Sequence, residues 1–582
     1  MGANKNTIRP KKLVKAKNAK AKAKAKAVAY TDNICAPATA SGRGAIGIIR
    51  MSGPDVIKIA DSIFTPTHDP KHKPLSLLRS ESYVMRYGVI YENAASIYEN
   101  VASIYENTAP NKKASLSSAK GKSSQQKVKQ ILDEVLVTVF RAPHSYTGEN
   151  SVEFYCHASS YIMNKIIIML IAAGARMAEP GEFTKRAFLN GKMDLAQSEA
   201  VADLIASETE AAHNVAMQQM RGGYSKDLKQ MRESLLNLTS LMELELDFGE
   251  EDVEFANRKH FAQLLKDTTA KVSSLIDSFS LGNVIKNGIP VAIVGAVNTG
   301  KSTLLNALVG EERAIVSDIQ GTTRDTIEDT VNIDGTVFRF IDTAGIRNTQ
   351  ETIEIMGIER TYQKIKEASV VILMLDCGKL VAGNGHNKQT INYSDFKQSI
   401  HSIAGRIDTK RQQLVIVVNK CDLLFAGAAK KSATTDPQIK NIIKEVEAIC
   451  KAEKLKAKVL CTILNSRQSY YNAGQAVANQ VETSALQMKG LTELKKNLSG
   501  IGNKISQNTG NQTLVTNARH YQALLAAKES LNKAVAALKD KISTELIAQE
   551  VRTAIYHLGS IVGEVSSQDV LNNIFKNFCI GK

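Results

Sequence analysis

Apolar and polar positions along this 582-residue chain follow two rhythms. Short apolar runs at 45–51 (AIGIIRM) and 131–140 (ILDEVLVTVF) predict strands, while 166–173 (IIIMLIAA) predicts a buried helix. From about 194 to 279 apolar residues recur at three and four spacing, through Ala196, Ala200, Val201, Leu204 and Ile205, then Leu235, Leu238 and Leu241; that is a helical pattern. Strand-like runs return at 289–294, 337–341, 370–375 and 414–418, separated by helical stretches, which predicts an α/β domain on a mainly parallel sheet. After about Thr513 the pattern is helical again, from 518 through 574. The order helix, α/β, helix predicts that the two helical parts pack together around an inserted α/β unit.

Length adds that one hydrophobic core cannot serve the whole chain, so about three units are expected. Nothing approaches the uninterrupted apolar stretch of about 18 residues that a membrane span needs, and the expectation is a soluble protein with no membrane partner. The net charge of +16 is concentrated at one end: residues 1–30 hold ten Lys/Arg and no acid. This tail admits a solvated disordered arm, weak attraction to RNA or phosphate, or an organellar presequence, although such peptides favour Arg and Ser and Arg9 is its one arginine. Seven cysteines without CxxC spacing argue against a disulfide framework and a zinc site, and for a reducing cytoplasm. The repetition YENAASIYENVASIYEN (91–107), followed by a Lys/Ser-rich stretch to about Lys127, reads as a duplicated surface insertion.

The chemistry is carried by a set of short motifs in a fixed order. Gly295-Ala296-Val297-Asn298-Thr299-Gly300-Lys301-Ser302 fits G-x-x-x-x-G-K-[ST], follows the strand PVAIV and opens the helix STLLNAL, with Thr303 next in line. Its glycines let backbone N–H groups turn toward phosphate oxygens, and a helix N-terminus adds favourable partial charge. Lys301 is expected on the β- and γ-phosphates and the Ser302 hydroxyl on Mg²⁺. Downstream, Gly321-Thr322-Thr323-Arg324-Asp325 supplies Thr323 to the Mg²⁺ shell, and Asp342-Thr343-Ala344-Gly345 ends the strand VFRFI, placing a metal-facing carboxylate and a γ-phosphate-facing amide. Asn419-Lys420-Cys421-Asp422 follows LVIVV. The Asp422 carboxylate can accept from both N1–H and the exocyclic amine of guanine, a donor pair that adenine lacks. Thr483-Ser484-Ala485 is expected to close over the guanine O6, with Leu486 beside it in the nucleotide-binding set. Together these elements indicate GTP binding. Many small GTPases follow the DTAG glycine with a water-orienting glutamine. Here Ile346 stands in that place, so a polar group must come from elsewhere, with Arg347, Glu351, Glu354 and Glu359 on offer.

At this point the chain resembles the MnmE (TrmE) family of tRNA-modification GTPases. The resemblance runs from about Tyr30 to Lys582 and rests on GRGAIGIIRMSGPD (42–55), APHSYTGEN (142–150), PGEFTKRAFLNGKMDLAQSEAVADLI (180–205), the GTPase elements and the terminal FCIGK. It implies an α/β P-loop GTPase domain inserted in an α-helical domain and preceded by an α+β folate-binding domain. The expected bounds are a basic tail at 1–29, a folate-binding and dimerisation domain at 30–190, helical parts at 191–287 and 505–582, and the GTPase domain at 288–504. It further implies a homodimer that works on tRNA with an FAD-dependent partner, GidA or MnmG. The pair would add a carboxymethylaminomethyl or aminomethyl group at C5 of the wobble uridine. The one-carbon unit would come from 5,10-methylene- or 5-formyl-tetrahydrofolate.

Residue by residue, the resemblance makes Glu354 the group that positions catalytic water, and places K⁺ on Asn298, Ser317, Ile319 and Thr322. Asp318 and Gln320 lie in the same nucleotide-binding loop. Arg50, Glu153, Lys192 and Lys582 match folate-binding positions. A K⁺ between phosphates can replace an arginine finger by neutralising developing charge.

Two motifs are weighed and set aside. GRGAIG satisfies G-x-G-x-x-G but leads into a strand, against a dinucleotide site. Cys579 reads as a packed or folate-adjacent thiol before a nucleophile. The basic tail and the 91–127 insertion are extra to the family pattern, and 377–412 and 424–480 look longer and more polar than a core GTPase domain requires. A ribosome-assembly or signalling GTPase is the alternative function, and a bacterial cytoplasm the expected location, ahead of an organelle.

Overall fold

The computed structural model describes residues 31–40, 42–67, 76–92, 130–247, 258–312, 329–341, 363–382, 390–409, 411–421, 437–462, 479–507, 513–540, 542–576 and 578–581. They divide into two compact units, one of residues 1–202 with 559–582, the other of 203–558.

The first unit is built on seven strands: β1 (Ile34–Pro37), β2 (Gly44–Ser52), β3 (Phe64–Pro66), β4 (Met85–Glu92), β5 (Gln130–Phe140), β6 (Ser151–Ala158) and β7 (Arg176–Met177). They lie in the order β3-β4-β5-β6-β2-β1-β7, antiparallel apart from β1 with β7. Period-two alternation sends Val135, Val137 and Val139 of β5 and Val152 and Phe154 of β6 to one face. That face is covered by helices Val56–Ile63 and Ser160–Ala172, whose Val56, Ile59, Ile166 and Leu170 complete the core. Among the described residues no helix covers the opposite face of β4 and β5, where Met85, Tyr87, Ile131 and Leu136 are exposed. GRGAIG runs into β2, as the reading against a dinucleotide site requires.

Helix Glu182–Leu189 carries a buried ion cluster that ties this unit together. Arg186, wholly buried, donates to Glu182 Oε1 (2.9 Å), Asp32 Oδ1 (2.9 Å) and Glu149 Oε2 (3.2 Å). Arg176 reaches the same Glu182 and Asp32 carboxylates. Helix Gln568–Lys576 packs nearby through Leu571 and Phe575, which join Leu195 and Phe578 in a small apolar cluster.

In the second unit, β8 (Ile289–Gly295), β9 (Asp329–Ile333), β10 (Thr336–Phe340), β11 (Val370–Asp376), β14 (Gln413–Asn419) and β15 (Ala457–Cys461) form a sheet in the order β15-β14-β11-β8-β10-β9. A separate two-stranded ribbon pairs β12 (Val381–Ala382) with β13 (Thr390–Ile391). All six-strand pairings are parallel except β9 with β10, as the alternation of strand and helix patterns predicts. Both faces are buried, which is why β11 (VVILMLD) and β14 (QLVIVVN) read as continuous apolar runs. Helices Ser394–Ala404 and Pro437–Ala452 cover one face through Phe396, Ile400, Ile442 and Val446. Helices Lys301–Glu312 and Asn479–Gln507 cover the other through Leu304, Leu308, Leu494 and Leu498.

The helical segments flanking this sheet also meet. Helices Glu210–Met220, Gly223–Asp247 and Arg258–Asn287 precede it, and Ala518–Lys539 and Thr544–Val562 follow it. Phe279 stacks on Tyr521 at 4.3 Å. The returning chain is pinned where the Val515 N–H donates to Ser278 Oγ (3.1 Å) and Gln219 Nε2 donates to the Leu514 carbonyl (2.9 Å). The apolar periodicity picks out the buried Leu235 and Leu238 correctly, but Ile205 and Leu241 are exposed. Among the described residues no helix is long and apolar enough to cross a membrane.

Candidate functional site

Strand β8 ends at Gly295 and helix Lys301–Glu312 begins six residues later, so 295–302 wraps the helix N-terminus at the carboxyl edge of the sheet. Two glycines are obligatory here. Gly295 has φ +150°, and a Cβ on it would lie 2.5 Å from the Met374 carbonyl oxygen of β11. Gly300 has φ +101°, and its Cβ would fall 2.3 Å from Asn419 Nδ2. Between them Asn298, exposed, also takes a left-handed conformation (φ +63°), which asparagine tolerates better than most residues. Thr299 is buried and its hydroxyl donates to the Ala296 carbonyl (2.9 Å), closing the turn.

Lys301 folds its side chain back over this turn, with Nζ donating to the carbonyls of Gly295 (2.9 Å) and Ala296 (2.8 Å). Burial pushes its pKa below the ordinary lysine value. An anion brought to the loop favours the charged ammonium again, so the site is electrostatically matched to phosphate. Ser302 and Thr303 sit half-buried in the first turn of the helix.

The end of β14 is locked to this loop. Asn419, fully buried, donates from Nδ2 to the Thr299 carbonyl (3.0 Å) and accepts from Thr462 Oγ1 (3.2 Å). Lys420 follows in a left-handed conformation (φ +62°) with Nζ on Asp376 Oδ2 at 2.7 Å. Cys421 is buried; hydrogen bonding with Cys377 and Cys461, together with burial, raises its thiol pKa far above the ordinary value. The thiol is therefore a packing group. The two loops that sequence spacing assigns to phosphate and to guanine thus share one hydrogen-bonded edge.

In the first unit, Arg50 of β2 and Glu153 of β6 face each other across the strands, with Arg50 Nε donating to Glu153 Oε1 at 2.8 Å. The guanidinium lies 5.6 Å from the Tyr146 ring centroid and 5.9 Å from that of Phe183. The Tyr155 hydroxyl donates to Glu153 Oε2 (2.8 Å). Burial, then the hydrogen bond to Glu153, push the Tyr155 pKa up to about 12. Lys192, exposed, donates to the Pro143 carbonyl (3.1 Å).

The family model described as MnmE helical domain matches residues 195–579, and that described as GTP-binding protein TrmE N-terminus matches 33–109 and 88–192. The tRNA modification GTPase MnmE of Flavobacterium johnsoniae is 45% identical over 95% of this chain and 99% of its own length. That of Bacteroides fragilis is 44% identical over the same shares. The chain belongs to the MnmE (TrmE) family. It is a GTPase of tRNA modification. Among solved structures, the FeoB G-domain of Methanococcus jannaschii is a slight likeness, 19% identical with a TM-score of 0.19 over 36% of this chain and 95% of that one.

Of the residues that sequence spacing assigns to the nucleotide site, the structure brings together Asn298, Thr299, Gly300, Lys301, Ser302, Thr303, Asn419, Lys420 and Cys421. Ser484, Ala485 and Leu486 lie early in helix Asn479–Gln507. Glu354, Asp422, Lys582, the loop 317–323 and the DTAG segment 342–345 lie outside the described residues. Cys579 is exposed, so the packed alternative for this thiol fails. Sequence reasoning missed Asp376 and Thr462, which hold Lys420 and Asn419, and the Tyr146 and Phe183 rings beside Arg50. Asp376 left a signal, an acid closing the apolar strand VVILMLD one strand away from NKCD. The rings left none, because their approach depends on tertiary packing.

Proposed function

We propose that this chain hydrolyses GTP as one half of a two-protein enzyme. With an FAD-dependent partner of the GidA/MnmG kind, it would add a carboxymethylaminomethyl or aminomethyl group at C5 of the wobble uridine of certain tRNAs. The observation that carries the proposal is similarity to MnmE proteins over 95% of the chain, joined to a formed phosphate loop. Mass spectrometry of wobble uridines tests it in a strain lacking this chain. C5 modification should disappear there and return with the intact gene; unchanged modification would favour a ribosome-assembly or signalling GTPase.

In this reading the GTPase domain at 288–504 is inserted between helical parts at 191–287 and 505–582, and the bonds from Val515 to Ser278 and from Gln219 to Leu514 support that joint. Lys301 holds the β- and γ-phosphates. Ser302 and Thr323, with Asp342 through water, would hold Mg²⁺. Asn298, Ser317, Ile319 and Thr322 would hold K⁺, and the exposed, left-handed Asn298 of the phosphate loop supports this. Glu354 orients the attacking water in place of a glutamine. Glu354→Ala should leave GTP binding near normal and slow K⁺-stimulated turnover by about 10²-fold or more, the weight of a positioned base. Turnover equal to the parent's would remove Glu354 from that role.

The tetrahydrofolate site is proposed at Arg50, Glu153, Lys192 and Lys582. The residues present fit such a group: a guanidinium–carboxylate pair beside two aromatic rings suits a flat, hydrogen-bonding pterin. When bound, the folate supplies the one-carbon unit. A homodimer is proposed through the bare face of the first unit's sheet, whose Met85, Tyr87, Ile131 and Leu136 form an apolar patch unusual on a monomer's surface. Leu136→Glu should then reduce the sedimenting mass from two chains to one, and a parent protein sedimenting as a single chain would exclude the dimer.

A further inference from the structure

Strand β11 contributes a residue to the guanine-reading edge through its last position. In the parallel pairing of β11 with β14, Asp376 stands in register with Asn419, so its carboxylate leaves the sheet beside the first residue of NKCD. Both carboxylate oxygens are in use. Oδ1 accepts from the Gly378 N–H at 2.9 Å, and Oδ2 accepts from Lys420 Nζ at 2.7 Å. The aspartate side chain is 12% exposed and the lysine side chain 31% exposed, so the anchored partner is the acid and the held partner is the lysine.

What is held is a strained turn. Lys420 has φ +62°, a conformation that lysine, unlike glycine or asparagine, rarely adopts. Around it, Asn419 is fixed by Thr299 and Thr462, and the Cys421 N–H donates to the Thr462 carbonyl at 3.4 Å. Those bonds fix the residues before and after Lys420. The ion pair with Asp376 holds the Lys420 side chain itself. The direction in which the chain leaves β14 is set at this left-handed step.

We propose that Asp376 is a positioning residue for guanine recognition. By clamping Lys420 it holds the turn that presents the base-reading loop, and it touches neither the phosphates nor the attacking water. The inference rests on the reading of NKCD as the guanine-recognition loop. Its consequence is specific: losing the clamp weakens every nucleotide that the loop reads without changing which base is preferred. Losing the reader, Asp422, changes the preference itself.

The experiment measures equilibrium binding of fluorescent GDP and XDP, with steady-state GTP hydrolysis, for full-length Asp376→Ala, Asp376→Glu and Asp422→Asn. For Asp376→Ala, guanine affinity should fall about tenfold, the weight of one charge-assisted hydrogen bond, with the loss in KM and kcat within about twofold. Asp376→Glu, which keeps the charge, should recover most of it. Asp422→Asn should instead gain XDP binding. Asp376→Ala binding GDP as tightly as the parent would overturn the clamp, even with Asp422→Asn switching to xanthine. A loss that Asp376→Glu does not recover, accompanied by a lower unfolding midpoint and lower kcat, would also overturn it, showing a purely structural acid. If Asp422→Asn leaves base preference untouched, the loop reading itself fails and takes the inference with it.

Discussion

GTP hydrolysis by Lys301→Ala is expected to fall by at least about 10²–10³-fold, the cost of removing one preorganised charge from a site that stabilises developing negative charge. The loop geometry adds to that cost. The half-buried ammonium is bracketed by the Gly295 and Ala296 carbonyls, so alanine also removes two donors that close the loop. The remaining N–H groups can still attract phosphate, but the β–γ charge loses its counterion. Nucleotide binding should weaken together with turnover. The test is single-turnover hydrolysis beside GDP affinity; turnover within tenfold of the parent would contradict the role given to Lys301.

The largest expected effect on stability lies far along the chain from this loop, at Arg186. Arg186→Leu removes a wholly buried guanidinium and leaves Glu182, 3% exposed, with Asp32 and Glu149 short of a partner. Breaking a buried charge network from one side costs about 3–5 kcal/mol, a large part of a domain's net stability. Arg176 still neutralises Glu182 in part, so the lower end of that range is expected. The same cluster fixes the pH response. Burial acts to raise the Glu182 pKa, but hydrogen bonds from Arg176, the Glu179 N–H and Arg186 outweigh it and hold the pKa below its ordinary 4.5. A depressed folded-state pKa contributes stability above the unfolded value, which is lost as pH falls through the folded one. The parent should therefore lose stability as pH drops below about 4.5, and Arg186→Leu should show a shallower loss. Chemical unfolding monitored across that range checks both, and a variant within about 1 kcal/mol of the parent would refute the network's weight.

Much of the architecture was legible because the relevant signals are local. A parallel sheet covered on both faces writes itself as unbroken apolar runs: 370–375 lies in β11, one residue longer, and 414–418 in β14, one residue longer at each end. The phosphate loop was legible because Gly295 and Gly300 answer to backbone geometry that side chains forbid. Three-and-four spacing says which side of a helix is apolar but not how wide a partner covers it, and exposed Leu241 and Ile205 mark that gap. The bare sheet face was equally illegible. Met85, Tyr87 and Leu136 alternate with core residues just as polar ones would, and only the placement of both helices on the other face reveals them. Asp376 was passed over because a single acid ending a strand acquires meaning only when register sets it beside Asn419. The buried Arg186 cluster joins positions from 32 to 186, a separation across which composition and periodicity carry no information.

One sheet edge is proposed to hold a triphosphate at Lys301 and to read guanine beside it. Competition binding on the purified full-length chain with Mg²⁺ tests it most directly, using labelled GTP challenged by unlabelled GTP, GDP and ATP. The account predicts saturable binding displaced by both guanine nucleotides and left in place by ATP at large excess. A folded chain that fails to take up GTP, or that releases it to ATP as readily as to GDP, would contradict it.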